Sequence, residues 1–422
     1  MKCQNVFTPN DVPTITYVDR ADHKLEGILK EYFDTPNMVV SISGPSKSGK
    51  TVLVKKVVAE DCLITVRGTS LATGEALWDR VLDWMEVPSQ SSEGLSTGAS
   101  ISGGIEAGGR AGIPIVLEGK AKASTSVGGS IQKTTTKVFN RGGLEQVIKD
   151  IGGSDFVVFI DDFHYIPETI RDDVGKQIKV AAENGIKIFT ASVPHKTDDV
   201  VRSNPELRGR VVSLNIEPWS IQDLIQIARK GFNALNVDLS PQIETRLAQE
   251  AFGSPQLMQS ICLNLAFAIG AKTILENHVR VEVTEDQISE ALERTSAFAD
   301  FSKMLRDLHT GAKTRGTERK EHKLIDGTQG DVYRAVLLGI KQDPGVLSFS
   351  YDDIISRVKS VWIDDPPAGS SINSALSQMQ IIAEGLQPNN SPIAWDDTNL
   401  DIADPYFLFY LRCSDKLEQI GK

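Results

Sequence analysis

The sequence contains few of the features that mark secreted, zinc-binding or highly basic nucleic-acid-binding proteins. Its four cysteines, Cys3, Cys62, Cys262 and Cys413, lie far apart and form no C-x-x-C pair. This spacing suggests neither a zinc knuckle nor a disulfide framework, and it favours a reduced, cytoplasmic setting. The net charge of −11 argues against a surface covered in cations for nucleic acid, although a local basic patch remains compatible with it.

Long apolar runs are also missing. Residues 1–15 lack the apolar stretch of a signal peptide. The most apolar window, Leu257 to Ile269, is interrupted by Gln259, Ser260 and Asn264, so it predicts a buried helix rather than a membrane span. A length of 422 residues is enough for two or three domains, each with its own core.

One segment has the residues of a phosphate-binding loop. Gly44, Gly49, Lys50 and Thr51 occupy the fixed positions of G-x-x-x-x-G-K-[ST], between an apolar strand and a helix. Small residues let backbone N–H groups surround a β-phosphate at the positive end of that helix. Lys50 can reach the β- and γ-phosphates, and the Thr51 hydroxyl can ligate Mg²⁺. We therefore predict that the chain binds ATP and Mg²⁺ through Gly44, Pro45, Ser46, Lys47, Ser48, Gly49, Lys50, Thr51 and Val52.

The second half of the predicted site is a pair of carboxylates after an apolar strand, VVFIDDFH. Asp161 at the strand tip is predicted to hold Mg²⁺ through water, and Asp162 to orient or deprotonate an attacking water. A hydrophobic run before Asp-Asp is also compatible with an ordinary strand end, but it follows a phosphate loop here. Since the second position is Asp rather than Glu, nucleotide binding is predicted more strongly than hydrolysis.

Strands and helices alternate around these motifs. Strands are predicted at 63–67, 156–160, 186–192 and 211–216, and helices at 21–33, 73–85 and 144–151. Such alternation predicts an α/β fold with a parallel sheet covered on both faces, and a ligand site beyond the carboxyl ends of the strands. An insertion rich in Gly and Ser, about 89–143, interrupts the pattern. The alternatives are a disordered loop, one or two long hairpins that pack against copies from neighbouring subunits, or a basic loop that contacts nucleic acid.

From Pro218 the pattern becomes helical. Helix caps at Ser220, Ser240, Ser254 and Thr284 predict a small helical lid. We predict a P-loop α/β core at 1–217, the lid at 218–304, a basic linker at 305–327 and a winged-helix domain at 328–422. The winged helix is predicted from three helices, two short strand-like stretches and a final aromatic segment.

The order of these motifs resembles the AAA+ and STAND branch of P-loop ATPases, most closely the origin-recognition-type initiators and their STAND relatives. The resemblance covers about Thr16 to Ile269 without the insertion. Besides the loop and the IDD strand, it includes TYVDR, which resembles the initiators' short N-terminal motif, and FGSP, which resembles the G-x-P motif of the STAND lid.

This resemblance implies further site residues. Tyr17, Arg20 and Pro255 would lie by the base of the nucleotide, and Ser192 would sense the γ-phosphate. Arg210 would be an arginine finger that completes the site of a neighbouring subunit, with Arg208 as a substitute. The alternative is that both arginines are surface residues. Lys50, Asp162, Ser192 and Arg210 are thus the predicted catalytic residues of a homo-oligomeric ATPase.

The sequence departs from the family pattern at two places. Gln256 and Gln259 stand where an initiator-like lid often has a sensing arginine, and His164 follows where an acidic residue is common. His195 is a loop residue that could face the nucleotide, although a structural role is the stronger interpretation.

Two functions stay open. The leading hypothesis is an ATP-dependent switch that oligomerises and regulates a partner protein, in a setting such as antiviral defence. The alternative is a DNA-binding ATPase of the initiator or transposition-regulator kind. DNA is the less favoured partner because the expected recognition helix, 370–384, has no Lys or Arg. A scaffold that binds ATP without turnover is a third possibility.

Overall fold

The computed structural model describes residues 1–20, 24–88, 90–94, 119–121, 136–193, 207–313, 319–388 and 390–420. The helices in these residues are α1 (Cys3–Val6), α2 (Leu25–Phe33), α3 (Lys50–Val57), α4 (Glu75–Trp84), α5 (Gly143–Ile151), α6 (Glu168–Glu183), α7 (Ile221–Ala234), α8 (Pro241–Glu250), α9 (Pro255–Ala268), α10 (Glu285–Ser296), α11 (Ser302–Thr310), α12 (Val332–Lys341), α13 (Tyr351–Ser360), α14 (Gly369–Leu386), α15 (Pro405–Cys413) and α16 (Lys416–Ile420). The strands are β1 (Val39–Ser43), β2 (Leu63–Arg67), β3 (Gln90–Gly94), β4 (Gly119–Ala121), β5 (Thr136–Asn140), β6 (Val157–Asp161), β7 (Lys187–Ser192), β8 (Val211–Asn215), β9 (Val237–Asp238), β10 (Val279–Arg280), β11 (His322–Lys323), β12 (Gln329–Gly330), β13 (Ser348–Ser350), β14 (Ile393–Trp395) and β15 (Asn399–Ile402).

These elements form two compact units. One, the α/β unit, consists of His23–Gly44 and Lys50–Asn215. The other, the helical unit, consists of Met1–Asp22, Pro45–Gly49 and Ile216–Lys422. Five residues of the phosphate-binding loop, 45–49, therefore belong with the helical unit, while Gly44 and Lys50 belong with the sheet.

The α/β unit contains a five-stranded sheet in the order β2-β6-β7-β1-β8. Every pairing in it is parallel. The predicted α/β class is therefore confirmed. Strand β1 lies between β7 and β8. After β1 the chain crosses to β2 at the far edge of the sheet, returns towards β1 through β6 and β7, and then forms β8 on the other side of β1. The carboxyl end of β1 is thus the switch point at which ligands bind in sheets of this kind.

Apolar residues bury this sheet on both faces, as a parallel sheet requires. One row across the strands, Val39, Ile188, Val158 and Ile64, faces the core that α4, α5 and α6 complete. The intervening residues of β1, Val40 and Ile42, are also fully buried. This double burial explains why the strands read as continuous apolar runs in the sequence.

Most predicted boundaries in this unit lie within two residues of the observed ones. The predicted helix 21–33 is wrong at its start, because Lys24 has a left-handed backbone (φ +50°) and the helix begins at Leu25. Most of the insertion, 95–118 and 122–135, lies outside the described residues. Within the described part, β5 pairs antiparallel with both β3 and β4.

The helical unit begins with capped helices at the predicted positions. Ser220 and Asp223 form a reciprocal capping box on α7, and Thr284 and Gln287 form another on α10. Ser254 caps α9 ahead of Pro255 at the first helical position. Each cap satisfies backbone N–H groups that a helix leaves unpaired, which fixes where the helix begins.

The C-terminal part has the order α12, β13, α13, α14, β14, β15, which is that of a winged helix. Its three strands form one antiparallel sheet, β13-β15-β14. The sequence predicted the two later strands but not β13, whose three residues, Ser-Phe-Ser, include only one apolar side chain. Helix α11 runs through residue 304, where the sequence placed the end of the lid, and β11 lies inside the predicted linker.

Helix α15 holds the winged helix against the lid helices. Phe407 packs edge-on against Phe301, with ring centroids 5.5 Å apart. The Tyr406 hydroxyl lies 3.2 Å from the Ser260 hydroxyl of α9, and Arg412 forms an ion pair of 3.2 Å with Glu250 of α8. Among the described helices, none combines the length and apolar character that a bilayer crossing would need.

Candidate nucleotide-binding site

The carboxyl end of β1 carries the first part of the predicted site. The strand ends at Ser43, and the next residue, Gly44, donates its N–H to the carbonyl oxygen of Ser192 at the end of β7 (3.3 Å). Helix α3 begins at Lys50, with Thr51 and Val52 in its first turn. The helix N-terminus therefore lies at the switch point of the sheet, where its dipole favours an anion.

Lys50 is almost fully buried, with 8% of its surface exposed. Its ammonium donates a hydrogen bond of 2.8 Å to the carbonyl oxygen of Gly44. Burial lowers the pKa of Lys50 to about 8, and the carboxylates of Asp161 and Asp162 partly oppose that shift. Burying a cation is unfavourable unless an anion is nearby, so this position is suited to a negatively charged ligand.

Thr51 and Asp161 come together in the α/β unit. The Thr51 hydroxyl donates a hydrogen bond of 2.7 Å to Oδ2 of Asp161. The described residues contain no group of three or more His, Cys, Asp or Glu side chains that could hold a metal. Mg²⁺ is normally bound through one or two protein groups together with substrate phosphates, so this hydroxyl and carboxylate fit the predicted metal.

Asp162 follows the strand with a left-handed backbone (φ +55°). Its N–H donates to Oδ1 of Asp161 at 3.0 Å. Burial raises the pKa of Asp162, and the neighbouring charge of Asp161 raises it further. Gly68 approaches this turn so closely that a Cβ there would lie 2.3 Å from the Asp162 carbonyl oxygen.

Ser192 ends β7 and is 4% exposed. Its hydroxyl and that of Thr190 make no hydrogen bond within the described part of the chain. On the other side of β1, the Ser43 hydroxyl donates to Oδ1 of Asn215 at 2.5 Å. Buried polar groups are normally paired, so the hydroxyl predicted to sense the γ-phosphate is one of the exceptions that need an explanation.

Arg210 lies just before β8, in the α/β unit. Its guanidinium forms an ion pair of 3.1 Å with Glu183 at the end of α6, and the Arg210 side chain is 39% exposed. Arg208 is exposed. His195 lies outside the described residues. Arg210 is therefore a half-exposed cation at a sheet edge, with Glu183 as its acidic partner among the described residues.

The part of the loop that belongs to the helical unit has two residues with positive φ, Lys47 (+61°) and Gly49 (+96°). The Trp219 indole donates a hydrogen bond of 2.9 Å to the carbonyl oxygen of Ser48. Lys47 Nζ lies 3.2 Å from Oδ2 of Asp404, a residue of the C-terminal winged helix. These contacts hold residues 45–49 within the helical unit.

The residues that the resemblance placed by the base lie in the helical unit. The carbonyl oxygen of Tyr17 accepts a hydrogen bond of 2.7 Å from Lys230. Arg20 donates to the carbonyl oxygen of Glu217 (3.0 Å), and its guanidinium lies 5.4 Å from the centroid of the Trp219 ring. Burial lowers the pKa of Arg20, whereas Asp223 raises it. Pro255 opens α9.

The two lid glutamines bind the N-terminal segment. Gln259 donates to the Thr16 hydroxyl (2.6 Å) and accepts a hydrogen bond from the N–H of Thr8 (3.2 Å). Gln256 donates to Asn10 at 3.3 Å. Where the family pattern often has a sensing arginine, this chain therefore has amides that fasten residues 8–16 to the lid.

Sequence reasoning missed Trp219, Asp404 and Gly68. Trp219 contacts both Arg20 and the phosphate-binding loop. In the sequence it stands out only by its position directly before the α7 capping box. Asp404 has the ordinary pattern of a capping residue before Pro405. Gly68 lies 94 positions before Asp162, so its approach to that turn leaves no trace in local sequence.

No family model matches the sequence, and no curated protein matches it. Among solved structures, the ORC2 protein of Aeropyrum pernix, determined as ADPNP–ADP complexes, is similar with a TM-score of 0.51 and 11% identity, over 99% of this chain and 98% of that one. The Walker-type ATPase paby2304 of Pyrococcus abyssi has a TM-score of 0.48 and 13% identity, over 94% and 99%. Cdc6p from Pyrobaculum aerophilum has a TM-score of 0.41 and 14% identity, over 99% of both chains.

The ORC2 match shows the fold. The alignment with the ORC2 protein covers nearly the whole chain, and the shared fold confirms the predicted fold class. The sequence resemblance was traced only between Thr16 and Ile269, so the structural likeness extends it to the C-terminal domain.

Proposed function

We propose that this protein is an initiator-like AAA+ ATPase that binds ATP with Mg²⁺ and uses nucleotide binding and hydrolysis as a switch. The observation that carries the proposal is the hydrogen bond between Thr51 and Asp161. It joins the residue after the loop lysine to the carboxylate at the tip of β6, which is separated from β1 by β7, beside a buried cation. The fold shared with ORC2, which was determined with ADPNP and ADP, supports the same class of ligand.

The chain's own residues have separate roles in this proposal. The Lys50 ammonium binds phosphate oxygens, and the α3 N-terminus adds backbone N–H groups. Mg²⁺, when bound, neutralises charge on those oxygens. The Asp162 carboxylate accepts a proton from the attacking water. Its raised pKa brings it closer to neutral pH, which suits a general base.

Two substitutions test the proposal. Lys50→Ala should abolish ATP binding, measured by calorimetry with Mg²⁺ present. Asp162→Asn should leave the Kd for ATP unchanged and lower phosphate release by roughly 100- to 10,000-fold, the range for loss of a general base. An unchanged rate in Asp162→Asn would remove Asp162 from the mechanism. Tight ATP binding without turnover in the unmodified protein would support the scaffold function instead.

We also propose that hydrolysis depends on assembly, with Arg210 acting on the nucleotide of a neighbouring subunit. A half-exposed guanidinium held by one exposed carboxylate is available to a second copy. Such a cation neutralises the charge that spreads over the γ-phosphoryl oxygens in the transition state. Particle sizing with ADP and with a non-hydrolysable ATP analogue tests assembly. A particle size that is the same with both nucleotides would contradict nucleotide-dependent assembly.

The output of the switch has two candidates, DNA and a partner protein. The shared fold with ORC2 favours the initiator-like class. Against DNA contact through the usual helix, α14 has no Lys or Arg. On α13, Arg357 already donates to the carbonyl oxygens of Gln342 and Pro344, both at 2.9 Å. Phosphate contacts dominate DNA affinity, so these helices suit a protein partner better.

Duplex DNA added to the sizing experiment decides between the two outputs. Binding that weakens steeply with salt, and that charge reversal in the linker or the insertion abolishes, would establish the DNA candidate. No change in size with DNA would leave the partner-protein candidate, for which antiviral defence is one setting.

A further inference from the structure

The backbone of the phosphate-binding loop does not favour a lysine at position 47. Lys47 has φ +61°, the left-handed region. In that region the Cβ of an L-residue crowds its own backbone, whereas glycine adopts the conformation freely. A long side chain at such a position is explained when its own contacts offset the backbone strain.

The Lys47 side chain reaches the C-terminal winged helix. Its Nζ lies 3.3 Å from Oδ1 and 3.2 Å from Oδ2 of Asp404. It also lies 4.2 Å from the centroid of the Tyr406 ring. The Asp404 side chain is only 8% exposed and that of Lys47 33%, so both the ion pair and the cation–π contact are partly shielded from water. We call these three residues, Lys47, Asp404 and Tyr406, the Lys47 latch.

Hydrogen bonds within the helical unit position the residues of the Lys47 latch. Asp404 caps α15 by accepting a hydrogen bond of 2.9 Å from the N–H of Tyr406. The Tyr406 hydroxyl lies 3.2 Å from that of Ser260 on α9. Burial raises the pKa of Tyr406 to about 12, so the phenol stays neutral. On the loop side, the Ser254 hydroxyl donates to the carbonyl oxygen of Lys47 at 3.4 Å.

We propose that the Lys47 latch couples the phosphate-binding loop to the winged helix, because Asp404 and the phosphates of a nucleotide compete for the Lys47 ammonium. This inference rests on the proposed nucleotide binding. Asp404 neutralises the Lys47 ammonium, which would otherwise attract the phosphates. Its carboxylate also adds a negative charge close to that ammonium. Nucleotide binding therefore favours opening of the latch, and by linkage an opened latch favours nucleotide binding to the same degree.

The first test is Asp404→Asn, which removes the charge and keeps a side chain that caps helices equally well. The expected result is a tighter Kd for ATP, by about 5- to 150-fold, the usual span of coupling between two sites. In the Lys47→Gly background, Asp404→Asn should change that Kd less than about twofold, because the competition has been removed. An equal effect in both backgrounds would mean that Asp404 acts without Lys47, and would overturn the latch.

The chain offers a matched control. Asp331 caps α12, forms an ion pair with Arg319, and that arginine lies 4.6 Å from the centroid of the Tyr333 ring. Asp331, Arg319 and Tyr333 repeat the chemistry of the Lys47 latch, but none of them belongs to the phosphate-binding loop. Asp331→Asn should leave the Kd for ATP unchanged. A similar tightening in this variant would show a general effect of charge and contradict the proposal.

Hydrogen exchange provides a readout that needs no nucleotide. Lys47→Gly suits the backbone at position 47, so this variant is expected to fold. The α15 amides should exchange faster in Lys47→Gly than in the unmodified protein. Adding ATP should accelerate their exchange in the unmodified protein but not in Lys47→Gly. If the unmodified protein binds no nucleotide, the proposed function fails. If α15 exchanges equally in the two proteins without nucleotide, the latch fails.

Discussion

The hydroxyl of Thr51 donates a hydrogen bond of 2.7 Å to Oδ2 of Asp161, which lies 110 residues later in the chain. The contact exists because β1 and β6 end at the same edge of one parallel sheet, with β7 between them. It places a hydroxyl and a carboxylate where a metal bound to phosphate would need them. The first prediction concerns this pair.

Asp161→Asn should weaken ATP binding in Mg²⁺ by about 10- to 100-fold, the range for losing a group that supports a bound metal. The amide oxygen can still accept the hydrogen bond from Thr51, so the fold should be preserved. Calorimetry in Mg²⁺ and in EDTA measures the effect. The same loss of affinity in both buffers would contradict a role for Asp161 at the metal. Asp155→Asn, which removes an exposed partner of Lys187, is the control.

Gly68→Ala should lower both stability and hydrolysis. The new Cβ would lie 2.3 Å from the backbone oxygen of Asp162, so the turn that aims Asp162 must move. We expect the free energy of unfolding to fall by about 1–3 kcal/mol, as for other overpacked sites. Denaturant unfolding and phosphate release measure the two effects.

Gly27→Ala provides the matched control for Gly68→Ala. Gly27 lies within α2, and a Cβ there would meet nothing within 4 Å. This substitution should stabilise the helix by about 0.5–1 kcal/mol and leave hydrolysis unchanged. Normal hydrolysis in Gly68→Ala would show that the turn at Asp162 tolerates displacement.

Arg210→Ala should slow hydrolysis by about 1,000-fold or more if the guanidinium acts as an arginine finger, with the Kd for ATP unchanged. A mixing experiment tests whether it acts between subunits. Arg210→Ala retains Lys50, and Lys50→Ala retains Arg210, so combining the two inactive proteins should restore part of the phosphate release. If the mixture stays inactive although mixed assemblies form, Arg210 does not act in trans.

His309 should make stability depend on pH. Burial and the nearby Arg334 lower the pKa of His309 from its ordinary 6.5, and an Arg334 nitrogen lies 3.3 Å from its Nε2. Below pH 6.5 the unfolded chain therefore binds a proton that the folded protein resists, so stability falls as pH decreases through that region. Denaturant unfolding between pH 5 and 8 should show a shallower decline in His309→Gln. Equal slopes would contradict this role.

Much of the fold was predictable because its signals are local. The spacing of Gly44, Gly49, Lys50 and Thr51 identified the strand–loop–helix. The reciprocal bonds between Ser220 and Asp223 follow directly from a four-residue pattern. Strand β13 was missed because Ser-Phe-Ser has only one apolar residue, and its pairing with β15 joins positions about fifty residues apart.

The site was predictable only in part. Thr51 and Asp161 belong to motifs with known chemistry, so their meeting could be anticipated. Trp219 and Gln259 could not be anticipated, because each acts through contacts with distant backbone or amide groups. Gln259 departs from the family pattern, which often has a sensing arginine there, and only the structure shows that it binds the N-terminal segment.

The sequence alone determined the phosphate-binding loop, the helix caps and the alternation of strands and helices. These depend on residues a few positions apart, whose backbone preferences and periodicity are written in the chain. Only the tertiary structure decided which distant charges meet, as with Lys47 and Asp404, 357 residues apart. Such a pair forms because packing brings two capped or strained segments together, and no local pattern encodes that distance.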